Sequence, residues 1–209
     1  MIRTVLADDH AIVRRGLKQI LESESDITVV FEAANGDEAV EYVRANGVDV
    51  VVMDITMPPR NGLEALKEIK KLKPTLPVIV LSMHTREQYA VRVLKAGAAG
   101  YITKESAPDE LVTAIRKAYR GGKYISNEVA ELLAIHVGGP ESEEPHKILS
   151  DRELEVFLAI GRGRSLTEIA NDLNISVKTV STYRTRIIEK TSLTTNAMIT
   201  RYCVEHGLN

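Results

Sequence analysis

Along the first 120 residues the spacing of apolar positions alternates between two periods. The run IRTVLA at 2–7 gives way to DDHAIVRRGLKQILES, in which Ile12, Val13, Leu17, Ile20 and Leu21 recur at helical spacing. The same alternation continues through ITVVFEA, DEAVEYVRA, DVVVMD, GLEALKEIKKL, PVIVLS, REQYAVRVLKAG, AGYITK and PDELVTAIRKAYRGG. Short, continuous apolar runs suit strands covered on both faces, and a helix between each pair supplies the crossover that parallel strands require. The pattern therefore predicts an α/β domain: a doubly wound, five-stranded parallel sheet clothed by five helices. In such open sheets the functional crevice lies beyond the carboxyl ends of the strands.

Past this region the text changes. GGPESEEPHKILS at 138–150 is rich in Gly, Pro, Ser and acid and reads as a linker. Beyond it every periodic segment is helical: DRELEVFLAIGRG, SLTEIANDLN, SVKTVSTYRTRIIEKT and TTNAMITRYCVEHG. A length of 209 residues is open to one domain or two, and the change of period favours two. The expected bounds are 1–122 for the α/β domain, 123–147 for a helix and linker, and 148–209 for a smaller all-helical domain.

Composition narrows the setting. An apolar fraction of 44% suffices for a core, yet no run approaches the length of a membrane span and the N-terminus lacks a signal-peptide layout. A cytoplasmic protein without membrane contact is expected. The single cysteine, Cys203, excludes an intrachain disulfide and a cysteine-cluster metal site, and reads as a small hydrophobe on the last helix. The net charge of −2 hides an asymmetry: residues 1–146 carry 18 basic and 22 acidic side chains, residues 147–209 carry 9 and 7. Nucleic-acid contact, if present, belongs to the last third.

The strand ends carry the candidate chemistry. Asp8 and Asp9 close the first strand, Asp54 the third and Ser82 the fourth, and Lys104 follows the fifth. Singly, each has a plain reading as a cap, a turn residue or a solvated charge. Jointly, the topology converges three carboxylates, a hydroxyl and an ammonium. Like charges so placed call for a cation, and an all-oxygen set fits Mg2+ better than a soft metal. Ser82 and Lys104 suit a phosphoryl group, which Asp54 can accept as an aspartyl phosphate while Asp8 and Asp9 hold the ion. Pro58 with Asn61-Gly62 reads as a tight turn that keeps the backbone beside Asp54, where the Thr56 carbonyl can reach the ion. His10 and His84 have no metal-spaced partners and are not read as ligands.

The segment 165–190 reads as helix, turn, helix. Ile169, Ala170 and Leu173 face inward from the first helix, and Ile175, Val180, Ile187 and Ile188 from the second, with Asn174 in the turn and Ser176 as N-cap. The outer face of the second helix presents Lys178, Thr179, Ser181, Thr182, Arg184, Thr185 and Arg186. Short hydroxyls among long cations allow close approach to a major groove. A solvated face on an ordinary bundle is the competing reading.

DDH at 8–10, MDITMPPRNG at 53–62, LS at 81–82 and GAAGYITK at 97–104 resemble the receiver domain of two-component response regulators. LSDRELEVFLAIGRGRSLTEIANDLNISVKTVSTYRTRI resembles the LuxR-type DNA-binding domain, and together they resemble a regulator of the NarL/FixJ type over nearly the whole chain. The resemblance implies a flavodoxin-like receiver in which Asp54 takes phosphate from a sensor histidine kinase. It implies Mg2+ on Asp8, Asp9, Asp54 and the Thr56 carbonyl, and phosphoryl contacts from Ser82 and Lys104. Ser82 and Tyr101 would form the switch, the hydroxyl moving toward the phosphoryl group and the ring turning inward. As a strand aromatic alone, Tyr101 would be half-buried. In the second domain the resemblance assigns base contacts to Ser181, Thr182 and Thr185. Phosphate or flanking contacts go to Lys178, Thr179, Arg184 and Arg186, on promoter DNA bound by a homodimer.

Three departures stand out. Glu105 follows Lys104 where many receivers have Pro, Tyr183 replaces a usual His, and Thr191 replaces a usual core Leu. The Thr191 hydroxyl would forgo part of a Leu's roughly 1.5–3 kcal/mol of burial. Two other functions compete with this one: a phosphorylation-independent regulator that uses its receiver only to dimerise, and a phosphohydrolase with Asp54 as nucleophile. The intact acidic pocket argues against the first. The second would usually place an acid two residues after the nucleophile, where Thr56 stands, so no enzyme is expected.

Overall fold

Six parallel strands lie side by side in the computed structural model, which describes residues 1–57, 61–83, 87–126, 130 and 144–208. They are β1 (Ile2–Ala7), β2 (Ile27–Ala33), β3 (Val50–Asp54), β4 (Val78–Ser82), β5 (Gly100–Thr103) and β6 (Tyr124–Ile125), in the order β2-β1-β3-β4-β5-β6. Pro58, His84 and residues 138–143 of the expected linker lie outside the described residues, as does most of the helix expected after 123. The chain divides into two units, Met1–Gly138 and Gly139–Asn209, each with its own core.

The helices of the first unit are α1 (Ala11–Glu22), α2 (Gly36–Ala45), α3 (Gly62–Leu72), α4 (Glu87–Lys95) and α5 (Ala107–Tyr119). Leu17 and Leu21 of α1 and Leu111, Ala114, Ile115 and Ala118 of α5 cover one face of the sheet. Side chains of α2, α3 and α4, among them Val40, Leu66 and Val93, cover the other. Burial from both sides explains why β3 is apolar at four successive positions and buried throughout.

Two expectations are corrected. The sheet has six strands, not five: Tyr124 and Ile125 pair with Gly100 and Tyr101, and the Tyr124 N–H reaches the Ala99 carbonyl at 2.7 Å. A strand of two residues is too short to show a period. Ile12, expected on the inner stripe of α1, is 87% exposed. At roughly 100° per residue it stands opposite Leu21, so it cannot share the buried face.

Strand order places the first strand between β2 and β3, and the carboxyl ends of β1, β3, β4 and β5 open on one side. Main-chain bonds hold those ends in register: Ile55 N–H to the Leu81 carbonyl at 3.0 Å, and Lys104 N–H to the Ser82 carbonyl at 2.7 Å.

The second unit starts with a 3-10 turn (Pro145–Ile148), followed by α6 (Asp151–Gly161), α7 (Leu166–Asp172), α8 (Val177–Thr191) and α9 (Asn196–Glu205). Each helix is opened by a hydroxyl: Ser150, Ser165, Ser176 and Thr195 accept a main-chain N–H of the first turn. At α6 and α7 a glutamate three residues on, Glu153 or Glu168, returns a bond to complete a capping box. Asn174, with φ of 50°, turns the chain between α7 and α8. Leu154, Phe157, Ile169, Val180, Ile187, Ile199 and Cys203 are wholly buried between the helices. Among the described residues no helix is long and apolar enough to cross a membrane.

Candidate functional site

Asp54 ends β3 at 2% exposure, and Asp8, just past β1, is equally buried. Neither carboxylate is left without a counter-charge. Lys104 Nζ lies 2.7 Å from Asp54 Oδ2 and 2.7 Å from Asp8 Oδ2. An ammonium between two buried carboxylates compensates a desolvation that neither could bear alone. Burial pushes the Asp54 carboxyl up to about 6, against the pull of Lys104 and the nearby Thr56 N–H, with the Asp8 charge adding to the rise. Burial alone would lower Lys104, but Asp54 and Asp8 outweigh it and hold the ammonium above its ordinary value.

The loop after β3 is positioned by backbone. Asn61, 1% exposed, accepts the Leu63 N–H at 2.8 Å and caps α3. Gly62 N–H bonds the Ile55 carbonyl at 2.9 Å, and a Cβ at 62 would stand 2.1 Å from the Asp54 carbonyl oxygen. Glycine is needed here for close approach of backbone to backbone. Thr56 is exposed beside Asp54.

Ser82 closes β4 at 3% exposure, one residue past Leu81, the register partner of Asp54. Tyr101 pairs with Val80 and is wholly buried in the core cluster that includes Met53, Ala90 and Val93. This corrects the half-buried position expected of it: the ring lies within the layer between β5 and α4. Asp9 is partly exposed, and its Oδ1 meets His10 Nδ1 at 2.8 Å. Oxygen or nitrogen atoms of Asp8, Asp9, His10 and Asp54 all lie within 4.8 Å of one another. Asp54 Oδ1 is buried and has no hydrogen-bond partner among the described residues. Three converging carboxylates with one orphaned oxygen fit a hard divalent cation such as Mg2+.

In the second unit, α7, the turn at Asn174 and α8 form a helix-turn-helix. Lys178, Ser181, Thr182, Thr185 and Arg186 are exposed along α8. The Thr182 and Thr185 hydroxyls donate to the carbonyls of Lys178 and Ser181 at 3.0 and 3.1 Å, which leaves their oxygen lone pairs free to accept. Two residues of the expected face are already engaged. The Thr179 hydroxyl lies 2.8 Å from Ser176 Oγ in the cap, and half-buried Arg184 donates Nε to Asn196 Oδ1 at 2.7 Å.

Residues 4–116 match the family described as response regulator receiver domain, and residues 147–203 the family described as bacterial regulatory proteins, luxR family. The chain belongs to the response regulators. Response regulator UvrY of Escherichia coli K12 is 42% identical over 209 residues, which cover 100% of this chain and 96% of UvrY. Response regulator GacA of Pseudomonas aeruginosa PAO1 is 36% identical over 209 residues, covering 100% and 98%. Among solved structures, the RcsB response regulator of Salmonella typhimurium aligns with a TM-score of 0.60 at 28% identity, covering 97% of this chain and 98% of that one. Another structure shows RcsB in complex with DNA. This two-component response regulator thus joins a receiver to a LuxR-type DNA-binding domain, and it is a transcription regulator, not an enzyme.

His10, not read as a ligand in the sequence, lies at the edge of the acidic pocket through its contacts with its sequence neighbours Asp9 and Asp8. The Thr191 departure also finds its explanation. The residue is 6% exposed, and its hydroxyl donates to the Ile187 carbonyl at 2.7 Å and accepts the Leu193 N–H at 3.3 Å. The polar group that displaces a Leu is therefore hydrogen-bonded on both sides, just before Ser192 turns the chain with φ of 60°.

Proposed function

We propose that this response regulator accepts a phosphoryl group on Asp54 from a sensor histidine kinase and, in response, binds promoter DNA as a dimer to regulate transcription in the cytoplasm. The observation that carries the reading is Asp54: a buried carboxylate with Lys104 at 2.7 Å on one oxygen and no hydrogen bond on the other. In the transfer an Asp54 oxygen bonds to phosphorus as the N–P bond of the kinase phosphohistidine breaks, its electron pair leaving with the imidazole nitrogen. Lys104 neutralises charge on the phosphoryl oxygens, and the Ser82 hydroxyl donates to one of them. Mg2+, held by Asp8, Asp9, Asp54 and the Thr56 carbonyl, would add charge neutralisation at the same oxygens.

Ser82 and Tyr101 form the switch: the hydroxyl moves toward the phosphoryl group and the ring turns inward behind it, a reading supported by the burial of Tyr101. The receiver spans 1–122, the segment 123–147 joins it to the effector, and 148–209 binds DNA. Ser181, Thr182 and Thr185 reach base edges, while Lys178, Thr179, Arg184 and Arg186 contact phosphates or flanking positions. The known complex of RcsB with DNA supports this assignment of the helical unit.

The test is intact mass after incubation with Mg2+ and acetyl phosphate, comparing the chain with Asp54→Ala, followed by light scattering and gel shift on genomic fragments. A phosphoryl adduct absent from the variant, accompanied by a larger particle and tighter DNA binding, is the expected result. An unmodified wild-type chain that still binds DNA would overturn the reading and leave the receiver as a dimerisation module.

A further inference from the structure

Arg184 differs from the other cations on the outer face of α8 in being half-buried and tied to the next helix. Its Nε donates to Oδ1 of Asn196, the first residue of α9, at 2.7 Å. A guanidinium carries its donors in a rigid fork, so a bond at Nε leaves both Nη groups to face a ligand. Among the described residues neither Nη group meets a carboxylate. The kind of acceptor matters. Arg152, Arg164 and Arg201 of the same unit lie 2.9, 3.3 and 2.6 Å from the carboxylates of Glu155, Asp172 and Glu205, so each positive charge is matched locally. Asn196 holds Arg184 with a neutral amide and leaves its charge uncompensated.

The acceptor is itself fixed. Thr195 Oγ1 accepts the Met198 N–H at 3.2 Å and opens α9, and the turn before it is pinned by Thr191 Oγ1, which accepts the Leu193 N–H at 3.3 Å. An arginine held in one direction before its ligand arrives loses less side-chain freedom on binding. We infer that Asn196 is a positioning residue for DNA: it aims the Arg184 fork, charge intact, at one backbone phosphate beside α8. The inference rests on the reading of α8 as the DNA-binding helix, and it adds a neutral residue outside that helix on which one phosphate contact depends.

Gel shifts over a salt series test it on the full chain treated with acetyl phosphate, using a genomic fragment that the wild type retains, in Asn196→Ala, Arg184→Ala and the double variant. Losing a neutral side chain with only a structural part in α9 would leave the number of neutralised phosphates, and so the slope of log affinity against log salt, unchanged. The expected result is that Asn196→Ala flattens the slope by about 2 for a dimer, as Arg184→Ala does. The double variant should bind no more weakly than Arg184→Ala, because the two residues act through one contact. Asn196 is exposed, and melting curves check that the variants remain folded. A wild-type slope in Asn196→Ala beside a flattened one in Arg184→Ala overturns the inference and leaves α8 as the DNA-binding helix. Losses that add in the double variant also overturn it, since Asn196 then acts on its own account. An unchanged slope in Arg184→Ala overturns both the inference and the phosphate contact assigned to Arg184.

Discussion

Lys104 is shared between two carboxylates, and the arrangement makes the pocket sensitive to pH in a definite direction. The Asp54 carboxyl titrates near 6 when folded, against an ordinary value of 3.8. The folded state therefore holds its proton longer than the unfolded chain, and stability falls as pH rises from about 4 to 6. In EDTA the cost is complete above that window, at about 3 kcal/mol. Asp54→Asn should be more stable than wild type by up to that amount at pH 7, with the gap closing by pH 4, as measured by urea denaturation. Thr191 makes the opposite case, a buried polar group with both bonds satisfied. Thr191→Val keeps the volume but strands the Leu193 N–H, and should lose about 1–2 kcal/mol in the same measurement.

At the scale of the element, α6 is fixed by one side chain used twice. Glu153, 3% exposed, accepts the Ser150 N–H at 2.7 Å and the Lys190 ammonium at 2.6 Å, joining the start of α6 to the end of α8. Burial pushes its carboxyl up, but the bonds from Lys190 and Ser150 outweigh that and hold it below the ordinary 4.5. A lowered folded value means that the stabilisation is whole above pH 4.5 and is lost as pH falls through the folded value. Glu153→Gln should therefore melt earlier at pH 7, by roughly 1–2 kcal/mol, and approach wild type in acid. Most elements were legible in the sequence for physical reasons: buried parallel strands leave unbroken apolar runs, and the caps Ser150, Ser165 and Ser176 sit directly before helical periods. What could not be read is what depends on angle or on distant partners. Ile12 fits a list of apolar positions but not the buried arc of α1, β6 is too short for any period, and the Arg184 to Asn196 bond joins two helices through a turn.

For the whole molecule, a chain of net charge −2 must bind DNA through a local surface rather than an overall field. Lys178, Arg184 and Arg186 supply three phosphate contacts per protomer in the proposed mode, six in a dimer. The logarithm of affinity should then fall with the logarithm of salt at a slope of about −5, and Arg186→Ala should flatten it by about 2. Gel shifts over a salt series would show this, and a slope near zero would rule out the α8 face as the phosphate contact. The strand-end residues of the pocket were legible because topology gathers the ends of parallel strands. The contact of His10 with Asp9 was not, since it depends on which way an exposed ring turns.

The main-chain bond from the Lys104 N–H to the Ser82 carbonyl joins two loops that each contribute one side chain to the pocket. The link is independent of side-chain identity, so substituting Ser82 or Lys104 leaves it in place, and a backbone shift at one loop is felt at the other. The Lys104 amide is consequently a built-in reporter. If acyl phosphate formation draws the 82 backbone forward, that single proton exchanges with deuterium faster, and if only the hydroxyl rotates, its protection is unchanged.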